Sequence, residues 1–263
     1  MEPAISIDPD KCIGCNRCSA ICIRDSIAII DKKAVYTGND CFSCYQCYSI
    51  CPKNAISLPA FPGFTREPVA GEHISYPDFL KFLQDRRSIR WFTEEKVSRE
   101  EFEKLFAAGG YTPSAMNRQD VEFVVLDERL DDFMRILYEI LKPCEYELPR
   151  IHPFCEYMEG TGTSPKGHPF LWEGRQLILA FSKVSVDAVL AMVRMELAGY
   201  TLGLGGFYSL FLILAAEKDP KRFSEFFPEI PAEKKLHRAY IIGHPRVRYK
   251  RGVPPRRREI HYL

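Results

Sequence analysis

The chain has 263 residues, of which 46% are apolar and 27% are charged, and its net charge is +1. This length predicts one small and one medium domain, each with an ordinary hydrophobic core. The near-neutral charge argues against binding to nucleic acid or to a membrane surface, and the longest strongly apolar run, residues 207–216, is too short to span a bilayer.

The first residues, MEPAISIDPDKC, contain no apolar segment of the kind that directs secretion. We therefore expect a cytoplasmic protein in a reducing compartment, where disulfides do not persist.

Eight of the ten cysteines lie in the first 51 residues, in two copies of the pattern C-x2-C-x2-C-x3-C. The first copy is Cys12, Cys15, Cys18 and Cys22, and the second is Cys41, Cys44, Cys47 and Cys51, followed by Pro52. Three cysteines at such steps wrap a tight loop around one corner of a cubane cluster. A zinc site uses paired C-x2-C knuckles without the third cysteine, and a disulfide framework needs an oxidising compartment, so both alternatives are disfavoured.

This spacing resembles that of bacterial-type ferredoxins, which carry two [4Fe–4S] clusters and transfer single electrons. In that pattern the fourth cysteine, where the chain is expected to turn into a helix, reaches the other cluster. The resemblance implies one cluster on Cys12, Cys15, Cys18 and Cys51, and a second on Cys41, Cys44, Cys47 and Cys22. Ile23 stands where the second motif has Pro52. Such clusters also favour an anaerobic cell.

The two cysteine segments align with each other without gaps, which predicts a pseudo-twofold repeat with short strands flanking each cysteine loop. We expect this ferredoxin domain to span residues 1–60. So short a segment buries little core, and we therefore expect it to be poorly folded without its clusters.

A stretch rich in proline and glycine, residues 59–68, predicts a linker over residues 61–73 and a second domain over residues 74–263. Its first helix is expected at residues 76–86. Ser98 and Glu101 form the sequence pattern of a capping box, Val97 and Phe102 can pack as a hydrophobic staple, and Gly109-Gly110 can end the second helix.

Further along the chain, apolar runs predict strands at residues 121–126, 176–181 and 239–243. Helices are predicted at residues 185–200, from the spacing of apolar residues, and at residues 207–216. Helices mixed with scattered strands indicate an α+β domain.

Three motifs in this domain carry possible binding chemistry. Residues 86–92, RRSIRWF, offer three guanidinium groups and a hydroxyl, which suit a phosphate; a solvated cationic helix end is the alternative. Residues 113–119, PSAMNRQ, form a loop whose amides can pair with a heterocycle, although this motif taken alone favours a plain helix start. Residues 199–206 contain Gly203, Gly205 and Gly206, which allow backbone to approach a flat ring.

In this order, and followed by Gly-His-Pro and an arginine-rich end, these motifs resemble the nitroreductase family of FMN enzymes over residues 76–258. With the N-terminal cysteines, the chain resembles a ferredoxin–nitroreductase fusion. The resemblance implies FMN phosphate, ribityl and ring contacts at these positions: Arg86, Arg87, Ser88, Arg90, Pro113, Ser114, Ala115, Asn117, Gly203, Leu204, Gly205, Gly206, Arg256 and Arg257. One departure is Asp120, where the family often has proline.

The resemblance further implies an α+β sandwich in an intertwined homodimer with two FMN sites. Two clusters that each carry one electron could load one flavin stepwise, and the flavin would then reduce a small, possibly nitroaromatic or quinone-like, acceptor. The external donor is a ferredoxin-like protein or NAD(P)H. No side chain is assigned as a catalytic acid, base or nucleophile.

Other readings remain open. The chain could be a non-catalytic electron-transfer or redox-sensing module that docks a partner protein, or a ferredoxin fused to a flavin-free scaffold. Cys144 and Cys155 are expected to be structural thiols, and His168 and His244 are expected to be turn residues. Residues 142–174 are expected to form either a lid or the wall of the substrate pocket, or else a structural surface loop. The seven basic residues between 246 and 258 fit FMN phosphate better than nucleic acid.

Overall fold

The computed structural model describes residues 3–64, 74–147, 150–164, 166–255 and 258–263. The chain divides into two compact units. The N-terminal unit contains residues 1–73 together with the short segment 115–118, and the C-terminal unit contains the remainder. Residues 65–73 of the expected linker lie outside the described residues, and the domain limits drawn from the sequence remain predictions.

The N-terminal unit repeats one pattern twice. Helix α1 (Arg17–Ile21) follows the first cysteine loop and helix α2 (Gln46–Ile50) follows the second. Strand β1 (Ser6–Ile7) pairs antiparallel with β4 (Ile56–Ser57), and β2 (Ile27–Ile30) forms a hairpin with β3 (Lys33–Tyr36). This is the expected pseudo-twofold repeat with short flanking strands.

The helices differ from expectation in their position relative to the cysteines. Each begins before the third cysteine of its motif and ends at the fourth, so that Cys22 and Cys51 are the C-cap residues. Both C-cap residues have extended backbone, with φ of −76° and −71°. The fourth cysteine therefore terminates a helix instead of starting one.

The core of the N-terminal unit is small and includes two of the cysteines. Its buried apolar members are Ile5, Cys12, Cys18, Ile27, Ala34, Ala55, Ile56 and Leu58. So few apolar side chains contribute little stabilisation relative to the entropy of ordering the chain. That this unit folds poorly without its clusters stays a prediction, and the small number of buried apolar side chains is the physical reason for it.

The C-terminal unit is built on an antiparallel sheet of four strands in the order β5-β6-β8-β7. The strands are β5 (Glu122–Leu126), β6 (Gln176–Ser182), β7 (Gly205–Tyr208) and β8 (Lys235–Gly243). Every residue of β6 is buried, because helices cover both faces of the sheet. The result is an α+β sandwich, as predicted.

The helices of this unit fall into two groups. Their bounds are α3 (Tyr76–Asp85), α4 (Arg99–Gly110), α5 (Leu130–Leu141), α6 (Ile151–Glu159), α7 (Ser185–Thr201), α8 (Leu210–Lys218) and α9 (Pro220–Glu225). Helices α4 and α7 pack with Ile178 and Ala180 of β6. Helices α5, α6, α8 and α9 pack with Leu177 and Leu179 on the opposite face. The alternation of side chains along β6 thus supplies two separate cores.

The capping box predicted for α4 is confirmed. The Ser98 hydroxyl accepts a hydrogen bond from the backbone N–H of Glu101, and the Glu101 carboxylate accepts one from the backbone N–H of Ser98. Val97 and Phe102 are both buried in the same core. These contacts depend on residues three apart, which is why the sequence reveals them.

One prediction about secondary structure was wrong. The predicted helix at 207–216 starts only at Leu210, since Phe207 and Tyr208 belong to β7 and pair with β8. Residues 142–174 contain helix α6, and Phe154 and Phe170 stack at 4.0 Å within the larger core. Other residues of that segment, including Pro153 and His168, line a pocket, and its role as a lid or pocket wall stays a prediction.

Across the described parts of the chain, no helix combines the length and the apolar content that crossing a bilayer requires.

Candidate functional site

The eight motif cysteines line two separate cavities of the N-terminal unit. The first cavity, here called the first cage, is lined by Cys12, Cys15, Cys18 and Cys51. The second cage is lined by Cys22, Cys41, Cys44 and Cys47. Each cage thus combines the first three cysteines of one motif with the fourth cysteine of the other. This grouping is the one that the ferredoxin pattern implies for ligation.

Backbone N–H groups point at the sulfur atoms of both cages. Ala34 donates to Cys12 Sγ at 3.4 Å and Ala55 donates to Cys51 Sγ at 3.3 Å. In the second cage Ser26 donates to Cys22 Sγ at 3.3 Å. Such donors stabilise thiolates, which are the form of cysteine that binds iron.

Burial opposes the ionisation of the thiols, whereas the backbone N–H groups favour it. The N–H groups of Ala34 and Gly14 lower the pKa of Cys12, whereas burial raises the pKa of Cys47 to about 11. A thiol with so high a pKa becomes a thiolate near neutrality only with strong positive compensation, which iron supplies when bound. The donor set, the cavities and the N–H groups therefore fit two iron–sulfur clusters.

The second cysteine loop is also held by a segment from much later in the chain. The side-chain amide of Asn117 donates to the carbonyl oxygens of Phe42 and Ser43, both at 3.0 Å. Asn117 belongs to the segment 115–118, which packs with the N-terminal unit. The resemblance assigned Asn117 to a flavin contact; the structure gives it a role at the second cage.

In the C-terminal unit, residues 86–93 contact strand β7 and the residues that follow strand β8. The N–H of Ile89 donates to the carbonyl of Gly206 in β7 at 2.9 Å. Phe92 forms an isolated bridge with Pro245, and the N–H of Thr93 donates to the carbonyl of His244 at 2.9 Å. His244 thus follows β8 and helps to hold this motif in place.

These contacts position the motif so that Arg87 lines a pocket of about 380 Å³. One terminal nitrogen of its guanidinium, Nη2, is buried and has no hydrogen-bond partner among the described residues. The pocket is also lined by Ile89, Tyr200, Gly203, Leu204, Asp85 and seven residues of the segment after β8: Pro245, Val247, Arg248, Tyr249, Lys250, Arg251 and Gly252. The other terminal nitrogen, Nη1, donates to the carbonyl of Arg86. A buried unpaired donor is costly, so Arg87 is the motif arginine with an unused donor beside a pocket.

The other arginines of the motif have different partners. Arg86 Nη1 pairs with Glu196 Oε1 of α7 at 2.8 Å, and Glu196 is only 8% exposed. The guanidinium of Arg90 lies over the rings of Phe207 at 5.2 Å and Trp172 at 5.6 Å. Neither arginine lines the pocket of Arg87, and Ser88, which is half-buried, does not line it either. The structure therefore separates residues that the resemblance grouped together.

The glycine segment serves packing more than ligand approach. A Cβ atom at Gly206 would lie 2.1 Å from the carbonyl oxygen of Ile241, and one at Gly205 would lie 2.6 Å from Ile89 Cγ1. Both glycines allow β7 to fit between its neighbours. Gly203 differs, because its φ of +80° requires glycine while its Cβ position is open, and it lines the pocket beside Leu204.

The loop at residues 113–119 divides between the units. Ser114 and Gln119 line a smaller pocket of about 120 Å³ in the C-terminal unit, and the N–H of Gln119 donates to Ser114 Oγ at 2.9 Å. Pro113 is exposed between these contacts, and Ala115 belongs with the N-terminal unit. Asp120, at the loop exit, accepts the N–H of Lys183 at 3.2 Å.

The remaining candidates fall in the larger core or beside it. Cys144 and Cys155 are buried, and burial raises the pKa of Cys155 to about 11. His168 Nδ1 accepts the N–H groups of Phe170 and Leu171, both at 3.1 Å, and burial lowers the pKa of His168 to about 4. His168 is therefore a neutral structural histidine at physiological pH, on the wall of an open pocket of about 330 Å³.

From the basic tail at residues 246–258, the resemblance selected Arg256 and Arg257, which lie outside the described residues. The basic residues of the tail that line the Arg87 pocket are Arg248, Lys250 and Arg251. Residues 247–252 all line the pocket, so the count of basic residues identified the tail but not the positions that reach the pocket.

Comparison with solved structures places the C-terminal fold among FMN-binding proteins. A nitroreductase with bound FMN from Desulfitobacterium hafniense DCB-2 is similar with a TM-score of 0.55 and 21% identity, covering 70% of this chain and 97% of that protein. A nitroreductase with bound FMN from Bacteroides fragilis NCTC 9343 gives a TM-score of 0.54 and 16% identity, covering 70% and 98%. At these identities the likeness concerns the fold.

Sequence comparison agrees. An FMN reductase [NAD(P)H] of Bacillus subtilis (strain 168) is 26% identical over 171 residues, which are 64% of this chain and 66%, just under two thirds, of that relative. The sequence model of the 4Fe-4S dicluster domain matches residues 4–52, and that of the nitroreductase family matches residues 83–244. The chain therefore belongs to the nitroreductase family and carries an N-terminal 4Fe-4S dicluster domain.

Proposed function

We propose that the protein is an FMN-dependent oxidoreductase whose two [4Fe–4S] clusters exchange electrons with the flavin for the reduction of a small acceptor. The observations that carry the flavin assignment are that Arg87 lines the 380 Å³ pocket and that its buried Nη2 has no hydrogen-bond partner among the described residues. A guanidinium with a free donor suits a phosphate oxygen. The bound FMN named for the two structural relatives and the FMN reductase activity named for the bacterial relative support this assignment.

The pocket can hold a phosphate with more than one group. Besides Arg87, its wall contains Arg248, Lys250 and Arg251, against the single carboxylate of Asp85. The excess of cations favours an anionic ligand. Tyr200 and Leu204 give the same pocket an apolar side, so its lining suits a ligand with a charged end and a flat apolar body.

The cofactors would supply the redox chemistry, since iron–sulfur clusters transfer single electrons and a flavin accepts one or two. The chain's own residues bind and orient. The cysteines of each cage hold iron, the backbone donors of Ala34, Ala55 and Ser26 stabilise sulfur charge, and Arg87 with the basic tail anchors the phosphate. No described side chain is assigned a proton transfer.

The external donor is proposed to be a ferredoxin-like protein or NAD(P)H, and the acceptor a small molecule of nitroaromatic or quinone type. The competing hypothesis of a non-catalytic electron carrier predicts that the reduced flavin does not react with any small acceptor. The enzyme is favoured because the sequence relative from Bacillus subtilis is named an FMN reductase.

The composition of protein purified without oxygen tests this function. We expect about eight iron atoms, about eight sulfides and one FMN per chain, as two cubane clusters and one flavin require. Stopped-flow oxidation of the reduced flavin by a quinone or a nitroaromatic compound then separates enzyme from carrier. Eight irons without flavin would refute the flavin assignment, and a flavin that reacts with neither acceptor class would support the carrier.

The homodimer implied by the family resemblance is also proposed, with a specific surface. Helix α7 exposes an apolar stripe at Val186 (57% exposed), Leu190 (40%) and Val193 (41%). These residues are spaced by four and three positions, the spacing at which one helix packs along another. The opposite side of α7 faces the core through Ala188, Met192 and Met195, so the stripe is free to meet a second copy.

A single charge in this stripe is expected to separate the subunits. The variant Leu190→Glu would place a carboxylate in an apolar interface without a partner, which costs several kcal/mol. We expect a monomer by analytical ultracentrifugation at concentrations where the unmodified protein is a dimer. The matched control is Leu210→Glu, because Leu210 is 71% exposed and lies outside the stripe. A Leu190→Glu protein that remains dimeric would place the interface elsewhere.

A further inference from the structure

The two cages differ in the surface that surrounds them. Around the first cage, Ile13 is 58% exposed and Ile29 is 37% exposed, and both line the cavity together with Arg17 and Lys53. We call these four residues the first-cage face. Each cage has one exposed cysteine, Cys15 in the first and Cys44 in the second, so the cages differ in the apolar and charged residues around them and not in the exposure of their cysteines.

The charges of the first-cage face are not neutralised. Arg17 and Lys53 are exposed, and neither forms an ion pair with any described residue. Their neighbour Lys33 behaves differently, because its Nζ turns inward and donates to the carbonyls of Pro9 and Cys12 at 2.8 and 2.6 Å. Asp31 is exposed beside Lys32 at the hairpin turn, so the net local charge that remains is positive at Arg17 and Lys53.

The second cage lacks this combination. Its exposed apolar residue is Ile23, at 72%, but the adjacent cation Arg24 pairs with Asp40 at 2.7 Å and lies over the ring of Phe42 at 4.8 Å. The carbonyls of Phe42 and Ser43 are already bonded to Asn117. Asn117 of the same chain therefore already binds the second cysteine loop, and Asp40 neutralises the charge of Arg24.

We propose that the first-cage face is the docking site for an acidic one-electron carrier protein, with Ile13 and Ile29 as the apolar centre and Arg17 and Lys53 as the cationic rim. Apolar centres with charged rims are typical of protein interfaces, and complementary charge steers the encounter. This inference rests on the proposed function, because it identifies the donor as a protein that approaches the first cage. Each encounter oxidises the carrier by one electron and reduces the iron of the cage by one, so two encounters supply the two electrons of one acceptor reduction, with protons from water.

The test reverses the rim charges in the full-length holoprotein. The variant Arg17→Glu/Lys53→Glu is compared with the control Lys221→Glu/Lys235→Glu, which reverses two exposed lysines of the C-terminal unit. The probe is flavodoxin, an acidic one-electron carrier. Two quantities are measured: the Kd of oxidised 15N-labelled flavodoxin by NMR titration, and the second-order rate at which reduced flavodoxin bleaches the cluster absorbance. Each rate with flavodoxin is divided by the rate with dithionite, a small reductant. The iron content verifies that both cages are filled.

We expect the rim variant to raise Kd and to lower the flavodoxin-to-dithionite rate ratio by about tenfold or more at low ionic strength, since steering by local charge changes association rates by 10- to 1,000-fold. The salt dependence of the rate should flatten as well, and the control should match the unmodified protein. Equal Kd and equal rate ratios in the rim variant would overturn the proposal, as would a larger effect of Arg24→Glu at the second cage.

The docking test can fail or succeed independently of the proposed function. It measures flavodoxin binding and cluster reduction, and neither measurement requires electron transfer to the flavin. If flavodoxin binds and reduces the clusters through the rim but the flavin stays oxidised, the docking site stands and the relay to FMN fails.

Discussion

Replacing Arg87 by alanine is expected to weaken FMN binding about thirtyfold, because a charge-assisted hydrogen bond contributes roughly 2 kcal/mol. Arg87 is the motif arginine that lines the pocket, and its buried Nη2 has no hydrogen-bond partner in the part of the chain that the structure describes. Flavin-free protein would be titrated with FMN, and the quenching of flavin fluorescence would report Kd. The same titration with riboflavin, which lacks the phosphate, should show a much smaller change.

The comparison of the two ligands makes this test specific. The matched control is Arg99→Ala, which removes an exposed arginine whose Nε pairs only with Glu103 on the surface of α4. If Arg87→Ala weakened FMN and riboflavin equally, Arg87 would support the pocket without contacting phosphate. If neither ligand were affected, the phosphate site would have to lie elsewhere.

Crossed ligation by Cys22 and Cys51 is expected to appear in double variants. Cys15 and Cys51 line the same cage, so Cys15→Ala/Cys51→Ser should damage one cluster and leave the other intact, with about four irons of that cluster remaining. Cys15 and Cys22 line different cages, so Cys15→Ala/Cys22→Ser should leave no intact cluster. Iron and sulfide analysis, with electron paramagnetic resonance of the reduced protein, would distinguish the two outcomes.

The reverse result would establish uncrossed ligation, in which each motif fills its own site. Cys155→Ser provides the control, because Cys155 is fully buried in the larger core of the C-terminal unit and lines neither cage. It should retain about eight irons per chain. Loss of iron in this control would point to a general folding defect instead of a ligand effect.

Features that depend on near neighbours were predictable from the sequence. The two cysteine motifs and the capping box at Ser98 and Glu101 arise from residues within a few positions of each other, and the internal repeat follows from comparing the two cysteine motifs. The local chain geometry of a helix start or a cysteine loop decides such patterns. The apolar residues of α7 also predicted the helix correctly, although they did not reveal that Val186, Leu190 and Val193 face outward.

Only the tertiary structure decided which of several similar residues has which contact partner. Arg86, Arg87 and Arg90 are nearly equivalent in sequence, yet Arg86 meets Glu196 from 110 positions away, Arg90 meets the rings of Phe207 and Trp172, and Arg87 remains for the pocket. Likewise, the pairing of Asn117 with the second cysteine loop joins residues 75 positions apart. By itself the sequence determined the chemistry of the chain, namely cluster ligands and a basic phosphate motif. Which side chain serves which partner depended on long-range contacts, because burial and hydrogen bonding between distant segments leave no periodic trace along the chain.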